Sequence, residues 1–147
     1  MGKFNTNRYI NCEMSEIMKI KPLWAIDENV GFLLDKALHP NNDRFVFKIV
    51  KTKRLIECSD FKEVDIRLLY TGDDTNDNRI SQILYCWDNG IYLDPPTIYA
   101  ENINHKVMYS DGRHRVKVSY FLEFENIPVA LEKDDLKIMN LLLGFDQ

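Results

Sequence analysis

The chain has 147 residues, 45% of them hydrophobic, which is enough for one sizeable core and too short for two independent domains. Nineteen Lys and Arg against 23 Asp and Glu give a net charge of -4, which argues against broad, sequence-independent binding to duplex DNA because that needs a positive surface. Apolar runs fall far short of the roughly 18 residues of a membrane-spanning helix, and no apolar stretch follows the N-terminal positive charge as in a secretory signal. Cys12, Cys58 and Cys86 are odd in number and show no CxxC spacing. The expectation is one cytoplasmic domain over residues 1–147, away from membranes, with reduced, mostly buried cysteines.

Met14, Ile17 and Met18 stand at helical spacing within 14–20. A clearer helix is predicted from Asp27 as N-cap, with Val30, Leu33, Leu34, Ala37 and Leu38 as its apolar stripe and Pro40 stopping it after His39. Residues 45–50 are β-branched and aromatic, and 54–58 and 65–70 also carry strand character. The acidic loop 72–78 leads into a helix with Ile80, Ile83, Leu84 and Trp87 on one face, ended by Asn89-Gly90. Pro95-Pro96 imposes an extended path, and strands are predicted at 97–100 and 106–109. A turn at Asp111-Gly112, a helix over 113–124, a strand over 127–131 and a helix over 133–143 complete the chain. Leu136, Met139, Leu142 and Leu143 face one way on that last helix, and Gly144 suits its C-cap. This order predicts an α+β fold with α/β-like layers, a mixed sheet flanked by helices.

The segment Ser110-Asp111-Gly112-Arg113-His114-Arg115 carries the chemistry. A strand that passes through glycine into a helix presents free backbone N–H groups and the positive end of the helix dipole at one point, where an anion can bind. Arg113 and Arg115 add planar forks suited to phosphate oxygens, and His114 adds an imidazole that titrates near neutral pH. The alternative is a plain β-turn with both arginines solvated, and on local pattern alone it is favoured, because an isolated G-x-x-R is common. Against it, cations in a first helical turn oppose the macrodipole unless an anion offsets them.

Residues 93–131 resemble the ParB/sulfiredoxin-like superfamily. Asp94-Pro95-Pro96-Thr97-Ile98 matches its proline-containing strand start, residues 108–115 its strand ending in a D-G-x-H-R type turn, and Ile127-Pro128-Val129 its closing I-P-V. The resemblance implies a pocket in which Ser110, Gly112, Arg113 and Arg115 hold nucleotide or nucleic-acid phosphates, with ATP or CTP and Mg²⁺ as candidate ligands. It also implies His114, Arg113 and Asp111 as candidate catalytic residues of a phosphohydrolase or nuclease. Sulfiredoxin carries a catalytic cysteine where Arg113 stands, and chromosome-partitioning ParB proteins carry an acidic residue there and a further DNA-binding domain. Size and the aspartate-led turn look more like the compact plasmid fertility inhibition factors. The helix after the turn, Val116-Lys117-Val118-Ser119-Tyr120-Phe121, is bulkier than the family's, and Asn126 is the residue expected to take a left-handed conformation beyond it.

Elsewhere the simpler readings prevail. His39 is a helix C-cap and His105 a loop residue. Lys48, Lys51, Lys53 and Arg54 form a solvated basic edge across two strands, and Asp73, Asp74 and Asp77 a solvated acidic loop with no complete calcium spacing. Trp24 and Trp87 belong to the core. Glu123 and Glu125 lie two to three turns from the phosphate end of their helix and make poor general bases. Two functions stay open: a nucleotide-binding ATPase or nuclease, and a non-catalytic inhibitor or immunity-type protein that binds a protein of a conjugation or defence system.

Overall fold

A computed structural model describes residues 7–27, 31–32, 44–62, 64–101, 103 and 105–145. Two short helices open it, α1 (Asn7–Ile10) and α2 (Met14–Ile17), followed by a small hairpin of β1 (Ile26–Asp27) and β2 (Gly31–Phe32). Then come β3 (Phe45–Lys51), α3 (Thr52–Cys58), α4 (Asp74–Asp88), β4 (Thr97–Ala100), β5 (Val107–Asp111), α5 (Arg113–Phe121), β6 (Asn126–Glu132), a 3₁₀ turn (Lys133–Asp135) and α6 (Leu136–Leu143). The fold class is α+β: a four-stranded mixed sheet of order β3-β6-β4-β5 with helices packed on it. β6 runs antiparallel to β3 and parallel to β4, and β4 and β5 form an antiparallel hairpin.

β6 is inside the sheet, and Ile127, Pro128, Val129, Ala130 and Leu131 are all buried, the continuous apolar run of a strand covered on both faces. Two hydrophobic clusters flank the structure. One joins the sheet to α3 and α6 through Leu55, Ile98, Ile127, Leu131 and Met139. The other joins α1, α2 and α4 through Tyr9, Ile17, Ile80, Leu84 and Trp87. α5 contributes to both, with Val116 in the first and Val118 in the second, where its C-cap Leu122 joins it.

Several expected elements differ. Asp27 does not cap a helix; Asp27 and Ile26 pair with Gly31 and Phe32 as strands, so no helix starts there. The rest of that stripe, Val30 and Leu33 to Leu38, with His39 and Pro40, lies outside the described residues. Residues 54–58 belong to α3, not to a strand: Thr52, Leu55 and Ile56 recur at helical spacing toward the core, a period that a five-residue window hides. Residues 65–70 form turns, because the Asp65 carboxylate accepts from Arg67 N at 2.9 Å and pairs with its guanidinium. The basic cluster therefore spans β3 and a helix, and Arg54 donates to Leu142 O at 3.0 Å. α4 begins before residue 78, because Asp73 caps it by accepting from Asn76 N at 3.0 Å. α2 stops at Ile17 and α5 at Phe121, short of 20 and 124.

Trp87 is buried and donates to Leu23 O at 2.9 Å, while Trp24 is half-buried and meets it edge-on, with ring centroids 5.2 Å apart. Of the cysteines, Cys86 is buried and Cys12 and Cys58 are half-buried; all three are free.

The end of α5 also departs from expectation. Glu123, not Asn126, takes the left-handed conformation, at φ 60°, and Asn126 is the first residue of β6. Glu123 N bonds Tyr120 O and Phe124 N bonds Ser119 O, both at 3.0 Å, the paired bonds of a Schellman C-cap. A side chain at this position costs roughly 1 kcal/mol relative to glycine. Glu123→Gly is therefore expected to raise the thermal midpoint by roughly 2–4 °C in a denaturation scan.

Candidate functional site

β5 ends at Asp111, Gly112 takes a left-handed conformation at φ 101°, and α5 starts at Arg113, so the turn stands where the motif placed it. Gly112 is required twice. Its φ disfavours any side chain, and a Cβ there would stand 2.7 Å from Pro96 Cα and 3.0 Å from an Arg115 nitrogen. The two halves of the motif, the proline-led strand start and the glycine turn, are thus in contact. Val116 N bonds Gly112 O at 3.1 Å, leaving the amides of the first helical turn directed outward from the helix end.

The three cationic side chains after the glycine are placed differently. Arg115 is largely buried, with a side chain only 15% exposed, and donates to the Asp111 carboxylate at 2.8 Å; its Nε is buried and has no hydrogen-bond partner among the described residues. Arg113, half-buried, donates to Tyr109 O at 3.3 Å. His114 is half-buried and lines two cavities. The larger cavity, about 520 Å³, lies between the turn, with Ser110 on its wall, and the residues that open α4, Asp73, Thr75 and Asn76. The smaller, about 220 Å³, is closed by Gln82, Ile83, Cys86 and Leu93. Asp111, Gly112, Arg113, His114 and Arg79 line both.

Behind the larger cavity, next to its lining residue Asn76, lies a buried group that sequence reasoning missed. Lys117, one turn beyond Arg113, is fully buried and donates to Asn76 Oδ1 at 2.7 Å. The Asn76 amide in turn donates to Leu69 O and to Asp77, whose carboxylate accepts from Thr71 N and Gly72 N. The acidic segment is exposed over residues 72–75, as expected, but Asp73 and Asp77 also serve as caps within it. Desolvation pushes the Lys117 ammonium below the usual lysine range, opposed by the nearby Asp65 and Asp77 carboxylates. The available signal was a lone lysine between Val116 and Val118 in an otherwise apolar stretch.

Beneath the turn, Tyr109 is buried, stacks on Phe61 at a centroid distance of 5.4 Å, and shares a 2.7 Å hydrogen bond with Ser59; burial raises its phenol above the usual range. His105 is exposed at the far end of β5 from Gly112. Glu123 and Glu125 line a separate cavity at the other end of α5, with Lys51 and Lys53.

Among the described residues no group of three or more His, Cys, Asp or Glu could hold a metal ion. Asp65, Asp73 and Asp111 line the larger cavity, but each carboxylate is engaged, by Arg67, the Asn76 amide and Arg115 respectively. These residues do not form a site for a resident Mg²⁺. No helix among the described residues is long and apolar enough to cross a membrane. Comparison with known proteins finds no matching family model, no matching curated protein and no matching solved structure.

Gly112→Ala should cost about 2–4 kcal/mol by chemical denaturation, from the strained φ and the Pro96 clash together. Gly144→Ala, also left-handed at φ 65° but with open space around the added Cβ, should cost only about 1 kcal/mol. Lys117 makes a pH prediction. Its folded pKa lies below the unfolded value, so between the two the unfolded chain binds more protons and this contribution to stability rises with pH. Wild type should therefore gain stability relative to Lys117→Met as pH climbs toward about 10.5, the unfolded lysine value. A constant difference between the two titrations would refute this.

Proposed function

We propose that the protein binds nucleotide or nucleic-acid phosphate at the Gly112 turn and belongs to the ParB/sulfiredoxin-like kind, nearest the compact plasmid fertility inhibition factors. The observation that carries this reading is the Arg115 guanidinium: largely buried beside an open helix N-terminus, with an Nε that has no partner among the described residues, and paired with the exposed Asp111. A cation held at the positive end of a helix is unfavourable until an anion joins it, and phosphate satisfies the guanidinium fork and the free amides together. The contact of Gly112 with Pro96 supports the superfamily assignment, because it joins the motif's separate pieces in one place. In a hydrolytic role Arg113 and Arg115 clamp phosphate and His114 transfers a proton.

A second reading has its own support. Among the described residues the carboxylates around the larger cavity, Asp65, Asp73 and Asp111, are engaged in structural contacts, which favours binding without turnover. In that case the protein acts as an inhibitor or immunity-type protein toward a protein of a conjugation or defence system.

Calorimetric titration with ATP or CTP, with and without Mg²⁺, tests the first reading. Binding is expected, weakened by roughly 10- to 100-fold or more in Arg115→Ala, the cost of a lost charged hydrogen bond. Folded protein that binds neither nucleotide sinks it. Binding without phosphate release or strand cleavage selects the second reading.

A further inference from the structure

We infer that Arg79, on helix α4, is a phosphate-binding residue of the Gly112 site, held in place by the buried hydrogen bond between Lys117 and Asn76; this rests on the phosphate-binding reading above. Arg79 lines both cavities that meet at the turn. Its side chain is exposed, and among the described residues it makes no hydrogen bond or ion pair. Arg113 and Arg115, by contrast, are occupied by Tyr109 O and by Asp111. The arginine free to reach a ligand without first breaking a contact is therefore the one supplied by the neighbouring helix. A phosphate on the Gly112 turn would meet amides from α5 on one side and the Arg79 fork from α4 on the other, a two-sided grip that a single helix end does not provide.

Such a grip requires α4 and α5 to keep their relative positions, and the buried lysine supplies this. Lys117 stands one turn beyond Arg113 on α5, and Asn76 stands one turn before Arg79 on α4. Their 2.7 Å bond fixes the first turn of α4 against the helix that carries the anion turn. Asn76 further ties this point to Leu69 O and, through Asp77, to the amides of Thr71 and Gly72, so the segment leading into α4 is held at the same place. Breaking the bond would leave Lys117 as an unpaired buried cation or Asn76 with an orphaned oxygen, so the two helices are locked in register. Lys117 is thus a positioning residue that acts through Arg79.

The test compares ATP and tripolyphosphate binding by calorimetry in wild type, Arg79→Gln, Lys117→Met, the double variant and Arg115→Ala, with a thermal melt of each. Arg79→Gln should weaken both ligands roughly 10- to 100-fold while moving the melting midpoint by no more than about 2 °C, as for a surface substitution. Lys117→Met should weaken binding in the wild-type background and add less than about twofold once Arg79 is gone, because residues acting through one contact are not additive. If Lys117→Met does not fold, Asn76→Ala, which removes the acceptor of the same bond, replaces it and should likewise weaken binding only while Arg79 is present. Arg79→Gln that binds like wild type while Arg115→Ala loses binding overturns the role of Arg79 and leaves the phosphate reading standing. Equal losses from Lys117→Met in both backgrounds overturn the positioning role. A wild-type protein that binds neither probe overturns the anion site, and Arg79 with it.

Discussion

Gly112 lies so close to the residue that leads into β4 that an added Cβ would stand 2.7 Å from Pro96 Cα, and that absence of room fixes the geometry of the glycine turn. Pro96 is itself anchored, because its carbonyl accepts from Ala130 N at 2.8 Å and so joins the start of β4 to β6 inside the sheet. Three elements therefore converge on one contact: β4 through Pro96, β6 through Ala130, and α5 through Gly112. The left-handed φ then turns the chain from β5 into α5 within a single residue. Any side chain at 112 would separate the helix end from the sheet and carry the arginines with it.

From that contact α5 runs between two apolar clusters, with Val116 facing the sheet and Val118 facing α4. Lys117 between them is an unusual occupant, since a buried ammonium loses hydration that its single neutral acceptor restores only in part. A leucine in its place would pack without that cost. What the lysine adds is direction: apolar surfaces slide over one another at small cost, whereas a 2.7 Å bond to Asn76 permits one register of α5 on α4. The cavity between these helices derives its shape from that register.

The C-terminal half was far more legible in the sequence than the N-terminal half. β4, β5, the turn, α5, β6 and the last helix follow from proline and glycine punctuation, whose effect on the backbone is local. Between Thr52 and Tyr70 the determinants are tertiary or lie within single side chains. α3 is helical because Leu55 and Ile56 reach the core from one face, and residues 65–70 turn because one aspartate captures Arg67. Glu123 in a left-handed position is a further case, since Asn126 has the better intrinsic preference and the helix length decides otherwise. For the site, the turn itself could be read from residues 110–115, but Arg79 and Asn76 could not. They are more than thirty positions away in the chain, and only the packing of α4 on α5 brings them to the cavity.

The electrostatics of the turn are unbalanced. α5 has no acidic residue in its first turn, where helices favour one, and carries Arg113 and Arg115 there. Asp111 answers part of that imbalance through its bond to Arg115, but the two partners are unequal: the aspartate side chain is 68% exposed and the arginine 15%. An exposed carboxylate can return to water at a cost of about 0–1 kcal/mol, while the arginine has nowhere to go. The pair is thus held from the arginine's side: Arg115 is fixed by its burial, and Asp111 is the partner that can move.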